Sequence, residues 1–205
     1  MRSLPYFLLL LSFGLTAQKK VFKSLMADHI DLVQVDAANC FHVEVQSHKG
    51  NEIHIEAVME GEYSQNLELG VSTKGATLFV ETDFAPNFSK PNDKLSAHKV
   101  VSILLKLKMP NYKRLIVFGT NSRVEIEGGY QDLQVVLADG ACLLKNVRSN
   151  ATIKSQSGNI KVISKSARIS AVSKFGTVSS NPIPPGVATY QLETITGNID
   201  LSKTE

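Results

Sequence analysis

Hydrophobic positions in the second half of the chain recur at two nested intervals. Within short runs they alternate with polar positions, the two-residue period of a strand with one buried face. The runs themselves return every 18 residues. Taking Gly158 as reference, Gly140 lies 18 residues before it and Gly176 lies 18 after it. Ser122 holds the place one unit before Gly140, and Gly197 follows Gly176 by 21. Five before each turn residue stand Val117, Val135, Ile153, Ala171 and Leu192; two after it stand Val124, Cys142, Ile160, Val178 and Ile199. Seven before it stand Leu115, Leu133, Ala151, Ile169 and Tyr190; four after it stand Ile126, Leu144, Val162, Ser180 and Leu201. The intervening positions include Glu125, Glu127, Lys154, Lys161, Arg168, Glu193 and Asp200, which suit a solvent face. A fixed period of this length predicts a β-solenoid of about five coils from residue 100 to the C-terminus, each coil covering the apolar face of the next. Like residues would stack about 4.8 Å apart. In that order Ile160 sits between Cys142 and Val178.

The turn residues Gly140, Gly158, Gly176 and Gly197 are expected to hold positive φ, which glycine adopts without a Cβ clash. In the first coil Asn121, before Ser122, is expected to take that role. The tetrapeptides Ser157-Gly158-Asn159-Ile160 and Thr196-Gly197-Asn198-Ile199, with looser matches at Asp139-Gly140 and Phe175-Gly176-Thr177-Val178, resemble the putative-adhesin family of exported bacterial β-helix proteins. The strand Leu105–Pro110 before the first coil looks like that family too. The resemblance covers roughly residues 100–201. It implies a right-handed parallel β-helix and an envelope location, and it implies no catalytic residues.

The N-terminal half reads as β-hairpins leading into the solenoid. Residues 41–46 and 53–58 alternate around His48-Lys49-Gly50, a three-residue connection with glycine last. That register pairs Val45 with Ile53, Val43 with Ile55 and Phe41 with Ala57, placing all apolar residues on one face. A second hairpin spans 67–73 and 76–82 around Lys74-Gly75, with Val71 facing Leu78 and Leu69 facing Val80. Residues 84–99 break the pattern with Pro86 and Pro91 and read as a long loop. Asn181-Pro182-Ile183-Pro184-Pro185-Gly186 is an insertion that lengthens the last repeat to 21 residues. No helix signature appears.

The first hairpin has one chemical consequence. It sets His42 opposite Glu56 and Glu44 opposite His54. Two imidazoles and two carboxylates form a zinc-ligand set; the same register also makes two exposed cross-strand ion pairs, and that is the reading taken, with no resident metal or other cofactor. On the outward face Ile116, Phe118, Val136 and Val172 form a candidate apolar patch. Either the N-terminal hairpins or the 84–99 loop cover it, or it receives a partner. Catalysis by polysaccharide-acting β-helix enzymes needs carboxylates aligned on neighbouring coils, but Leu143 separates Glu125 from Lys161 in their column.

Composition narrows the field further. The 205 residues predict one all-β domain over 18–205, with hairpins to residue 99 and the solenoid beyond. A net charge of +3, with basic residues spread among the strands, gives no sign of nucleic-acid binding. Residues 1–17 have the form of a signal peptide: Arg2, an apolar run from Leu4 to Leu15, and Leu15-Thr16-Ala17 before Gln18. The run is shorter than the ~20 residues of a spanning helix, and no other segment is apolar enough for one. Cys40 and Cys142 are the only cysteines; export would permit a bridge, but the reading taken is two buried free thiols. The expected function is that of an exported, adhesin-like, non-catalytic envelope protein. It would bind or organise a protein or polysaccharide partner in the periplasm, at the cell surface or outside the cell. The alternatives are a polysaccharide-acting enzyme and a periplasmic structural or assembly factor.

Overall fold

The structure, a computed structural model, describes residues 18–88 and 101–204. The predicted signal peptide and most of the predicted 84–99 loop lie outside the described residues. The described residues form two mixed sheets that share one core. The first contains β1 (Lys19–Met26), β3 (His42–His48), β4 (Glu52–Gly61), β7 (Val101–Pro110), β9 (Arg123–Glu127), β11 (Cys142–Lys145), β13 (Ile160–Ser164), β15 (Val178–Ser180) and β17 (Ile199–Lys203). The second contains β2 (Leu32–Asp36), β5 (Leu67–Lys74), β6 (Thr77–Phe84), β8 (Arg114–Gly119), β10 (Asp132–Leu137), β12 (Asn150–Ser155), β14 (Arg168–Ser173) and β16 (Thr189–Thr194). Alternation along these strands sends Val33, Val35, Val43, Val45, Val117, Val135, Ile153 and Leu192 into the space between the sheets, all buried.

The order is β1-β4-β7-β3-β9-β11-β13-β17-β15 in the first sheet and β14-β16-β12-β10-β8-β2-β6-β5 in the second. Pairing is parallel except for β1–β4, β4–β7 and β5–β6. This overturns the expected short right-handed β-helix. Among the described residues no closed solenoid forms, and the architecture is sandwich-like. The strands do not follow chain order across the sheets, and strands from both halves of the chain interleave.

Three specific corrections follow. The first concerns layer order. Leu115, Leu133 and Ala151 align as expected, as do Val124, Cys142 and Ile160. Next to them come Tyr190 and Ile199, from β16 and β17; β14 and β15 are displaced to the outside. Ile160 therefore lies between Cys142 and Ile199. Side-chain size explains the exchange. β16 and β17 turn Tyr190, Leu192, Ile199 and Leu201 inward, and all four are buried. The corresponding residues of β14 and β15 are the smaller set Ile169, Ala171, Val178 and Ser180. Giving the enclosed place to the bulkier set buries more apolar area, at roughly 25 cal/mol per Å².

The second correction concerns the first hairpin, which does not form. β7 inserts between β3 and β4, parallel to one and antiparallel to the other. β3 finds a second parallel partner in β9. The second hairpin does form, two residues out of the expected register: Val71 pairs with Val80 and Leu69 with Thr82. A shift of two keeps every apolar residue on its face, so alternation alone could not choose between the registers.

The third correction concerns the turn glycines. Among the described residues positive φ occurs at Gly61, Gly75 and Gly128, and at Tyr112 and Asn146 among other residues, but not at Gly140, Gly158, Gly176, Gly197 or Asn121. The repeat glycines answer a different demand. A Cβ on Gly158 would stand 1.7 Å from the Gly140 carbonyl oxygen, and one on Gly197 would stand 2.1 Å from that of Gly158. Hydroxyls three residues upstream complete the turns. Ser155 Oγ accepts the Gly158 N–H at 2.9 Å, and Ser173 Oγ accepts that of Gly176 at 2.9 Å. Thr194 Oγ1 accepts the Gly197 N–H at 3.2 Å and donates to the Gly158 carbonyl at 3.3 Å.

Candidate functional site

The four residues of the zinc-ligand set are split by β7. Glu44 and Glu56 both pair with Lys106, one from each side. His54 stands opposite Lys108 on β7 and Ser24 on β1, and its ring stacks between those of Phe22 and His48. His42 instead meets Glu125 of β9, Nε2 to Oε1 3.4 Å, and lies 3.9 Å from Glu44 Oε1. Among the described residues no group of three His, Cys, Asp or Glu side chains is placed to hold a metal ion. Glu125 is instead the anion of a local network. It accepts from Arg123 at 2.8 Å and Lys145 at 3.0 Å. Burial pushes its pKa up, but the hydrogen bonds and charges of Lys145 and Arg123 outweigh that, and the net shift is downward.

The apolar patch is only partly assembled. Phe118 pairs with Val136 across β8 and β10, two positions along from Ile116. Val172 lies beyond the Lys154–Glu193 ion pair of β12 and β16 at 3.1 Å, and with Val136 it lines a shared recess of about 390 Å³. Phe118 is 39 % exposed and Val172 58 % exposed. Ile116 and Val136 are half-buried.

A better-formed recess lies where chain passes from the first sheet to the second, at the connections after β11 and β13. Its volume is about 520 Å³, and Asn146, Arg148, Ser164, Lys165, Ser166 and Val187 line it. Local sequence builds each wall. Asn146 turns the chain with φ +47, a conformation asparagine tolerates better than most residues. Its Oδ1 accepts from Thr204 Oγ1 at 2.6 Å, leaving the amide nitrogen without a partner among the described residues. The adjoining Val147 carbonyl accepts the hydroxyl of buried Tyr190, which pins this turn to the core. The opposite wall is Val187 and Ala188, directly after the proline-rich insertion. Ala167 N donates to Pro184 O at 3.0 Å and Arg168 N to Ala188 O at 2.8 Å. Gly186 packs so tightly on Ser166 that a Cβ there would lie 2.7 Å from its backbone. A second recess of about 350 Å³ shares Asn146 and Arg148 and continues past Gly128 to Ser47 and Glu127.

Charge is distributed unevenly around this site, contrary to the expected even spread. Residues 140–192 contain Lys145, Arg148, Lys154, Lys161, Lys165, Arg168 and Lys174 and no Asp or Glu. Residues 18–139 hold 13 Lys and Arg against 16 Asp and Glu. Lys145, Lys154 and Lys161 pair with Glu125, Glu193 and Asp200 from outside the acid-free stretch. Arg148, Lys165, Arg168 and Lys174 have no carboxylate partner among the described residues. The run of 53 residues without an acid was visible in the sequence; that two of its unpaired cations share a recess was not.

Cys40 and Cys142 are both free and buried. Cys40 Sγ lies 3.3 Å from Thr82 Oγ1, and burial raises its pKa to about 11 and that of Cys142 to about 12. Neither is placed for nucleophilic chemistry at neutral pH. No helix among the described residues is long and apolar enough to cross a membrane.

No family model matches the chain, and no curated protein matches it. Solved structures do. A "putative cell adhesion protein" from Clostridium sporogenes is similar with a TM-score of 0.68 at 13 % identity, over 91 % of this chain and 100 % of that one. A "putative adhesin" from Bacteroides fragilis gives a TM-score of 0.41 at 14 % identity, over 89 % and 97 %. A "putative lipid binding protein" from Parabacteroides distasonis gives 0.28 at 11 % identity, over 93 % and 98 %. The likeness to the clostridial protein is one of fold: this chain shares its all-β architecture.

Proposed function

We propose that the chain is an exported, non-catalytic, adhesin-like protein of the bacterial cell envelope that binds or organises an envelope or surface partner. The observation that carries this reading is the recess at the β11 and β13 connections. It gathers unpaired cations, an amide and hydroxyls, the chemistry of recognition. A polysaccharide-acting enzyme would need two carboxylates free to act across a cleft; in the small recess of about 220 Å³ that Glu44, Glu125 and Glu127 line, Glu125 is held by Arg123 and Lys145. The shared fold with a protein described as a cell adhesion protein supports the same reading, as does the signal-peptide pattern of residues 1–17. Fractionation of cells producing the full chain, with protease treatment of intact cells and co-sedimentation with purified envelopes, tests it. Export and retention on envelopes are expected. A chain confined to the cytoplasm, or one that never co-sediments, would sink it.

A further inference from the structure

We infer that the recess between Arg148 and Lys165 binds an acidic polysaccharide, taking a carboxylate or sulfate group of the polymer between the two cations. The inference rests on the binding role proposed above and names the partner's chemistry.

Four observations converge on it. Arg148 and Lys165 line the same recess, and neither is neutralised by a carboxylate among the described residues. Both cations suit anionic oxygens, and charge-assisted hydrogen bonds are the stronger kind; the Arg148 guanidinium lies toward Gly129, 3.7 Å from a notional Cβ there. The same recess is lined by neutral polar groups, the Asn146 amide and the Ser166 side chain, which suit the hydroxyls of a sugar ring. The recess also continues into a second one along the same corner, past Gly128 to Ser47. That is a track for a chain-like ligand. Glu127 at the far end of the track repels an anion there, so the charged group belongs at the Lys165 end.

The competing occupants fit less well. A second copy of this chain would bring the same acid-free, cationic stretch against itself, at a cost in like-charge repulsion. An anionic bilayer presents a plane of charge, whereas these cations flank a recess whose neutral polar groups a flat surface does not enter.

The test uses the full chain and its Arg148→Gln/Lys165→Gln double variant, with Lys174→Gln as a control. Lys174 is also unpaired but lies outside the recess. Binding is measured by calorimetry to polygalacturonate, dextran sulfate, neutral dextran and phosphatidylglycerol vesicles, with far-UV circular dichroism confirming the fold of each variant. The expected result is binding to one or both anionic polymers and none to neutral dextran. The double variant should weaken that binding by about tenfold or more, from the loss of charge-assisted contacts, while Lys174→Gln changes it less than twofold. The carboxylated and sulfated polymers separate the two anion types. Equal losses in Lys174→Gln and the double variant would reduce the effect to diffuse charge and overturn the inference. So would binding to the vesicles alone, or to no anionic polymer. Retention on whole envelopes together with failure on every polymer would overturn this inference and leave the broader binding role standing.

Discussion

Gly158 passes so close to Gly140 that a side chain on it would stand 1.7 Å from the Gly140 carbonyl oxygen. The contact is between backbones of adjacent layers, so no rotamer change can relieve it. Gly158→Ala should therefore cost about 3 kcal/mol or more, at or beyond the upper end of ordinary overpacking. Gly75 provides the contrast. Its φ is +57 and nothing lies within 4 Å of its notional Cβ, so Gly75→Ala carries only the left-handed backbone strain of about 1 kcal/mol. Urea unfolding of both variants gives the ranking, and a milder Gly158→Ala would mean that the layers stand further apart at this turn.

Ile160 is 1 % exposed and lies between Cys142 and Ile199. Truncation to alanine leaves a cavity and should cost about 2–5 kcal/mol. Lys161, the next residue, points outward to Asp200 at 3.8 Å across an exposed pair. Lys161→Ala should stay within about 0.5 kcal/mol. A reversed order in chemical denaturation would place the strand one residue out of register.

Layer order makes a prediction about local opening. β14 and β15 lie at the ends of their sheets, and Val178 on β15 is 44 % exposed. β16 and β17 come later in the chain but are enclosed on both sides. Native-state hydrogen exchange should proceed faster in Arg168–Ser173 and Val178–Ser180 than in Thr189–Thr194 and Ile199–Lys203. The opposite order would restore a stack that follows the chain.

The Glu125 network gives a pH dependence. Its pKa is lower in the folded protein than its ordinary value of 4.5. A depressed carboxylate pKa stabilises the fold fully above the unfolded value, and the contribution disappears as pH falls through the folded one. Wild-type stability should thus drop on acidification below about pH 4.5, and Glu125→Gln should remove part of that drop. Unfolding midpoints for both proteins across this range check it. Identical acid profiles would show that the network adds no acid sensitivity.

Burial raises both thiols, so their thiolate fractions at neutral pH are very small. In the folded protein a chromogenic thiol reagent should leave Cys40 and Cys142 unmodified for hours, and in denaturant two equivalents should react at once. Rapid modification without denaturant would contradict their burial.

Much of this protein was legible one residue at a time. Alternation identified the inward face of nearly every strand. The 18-residue spacing correctly aligned Val117 with Val135 and Ile153, and Val124 with Cys142 and Ile160. The glycines were located correctly, though their reason was misread. A glycine with no tolerance for a Cβ looks the same in sequence whether φ or a neighbouring carbonyl forbids it. The hydroxyls of Ser155, Ser173 and Thr194, each three residues before a glycine, were a visible signal of the turn. What only the tertiary structure decided was adjacency. It set β7 between β3 and β4, which dispersed His42, Glu44, His54 and Glu56. It moved β16 and β17 inside β14 and β15. It paired β11 with β13, so that Arg148 and Lys165, on the connections that follow them, came to share a recess. The physical reason is common to all three. A strand's backbone offers the same hydrogen-bonding ladder to any neighbour, and a repeated apolar face fits any other such face. Local pattern therefore settles which side chains point inward, while the choice of neighbour falls to the arrangement that encloses the most apolar surface of the whole chain.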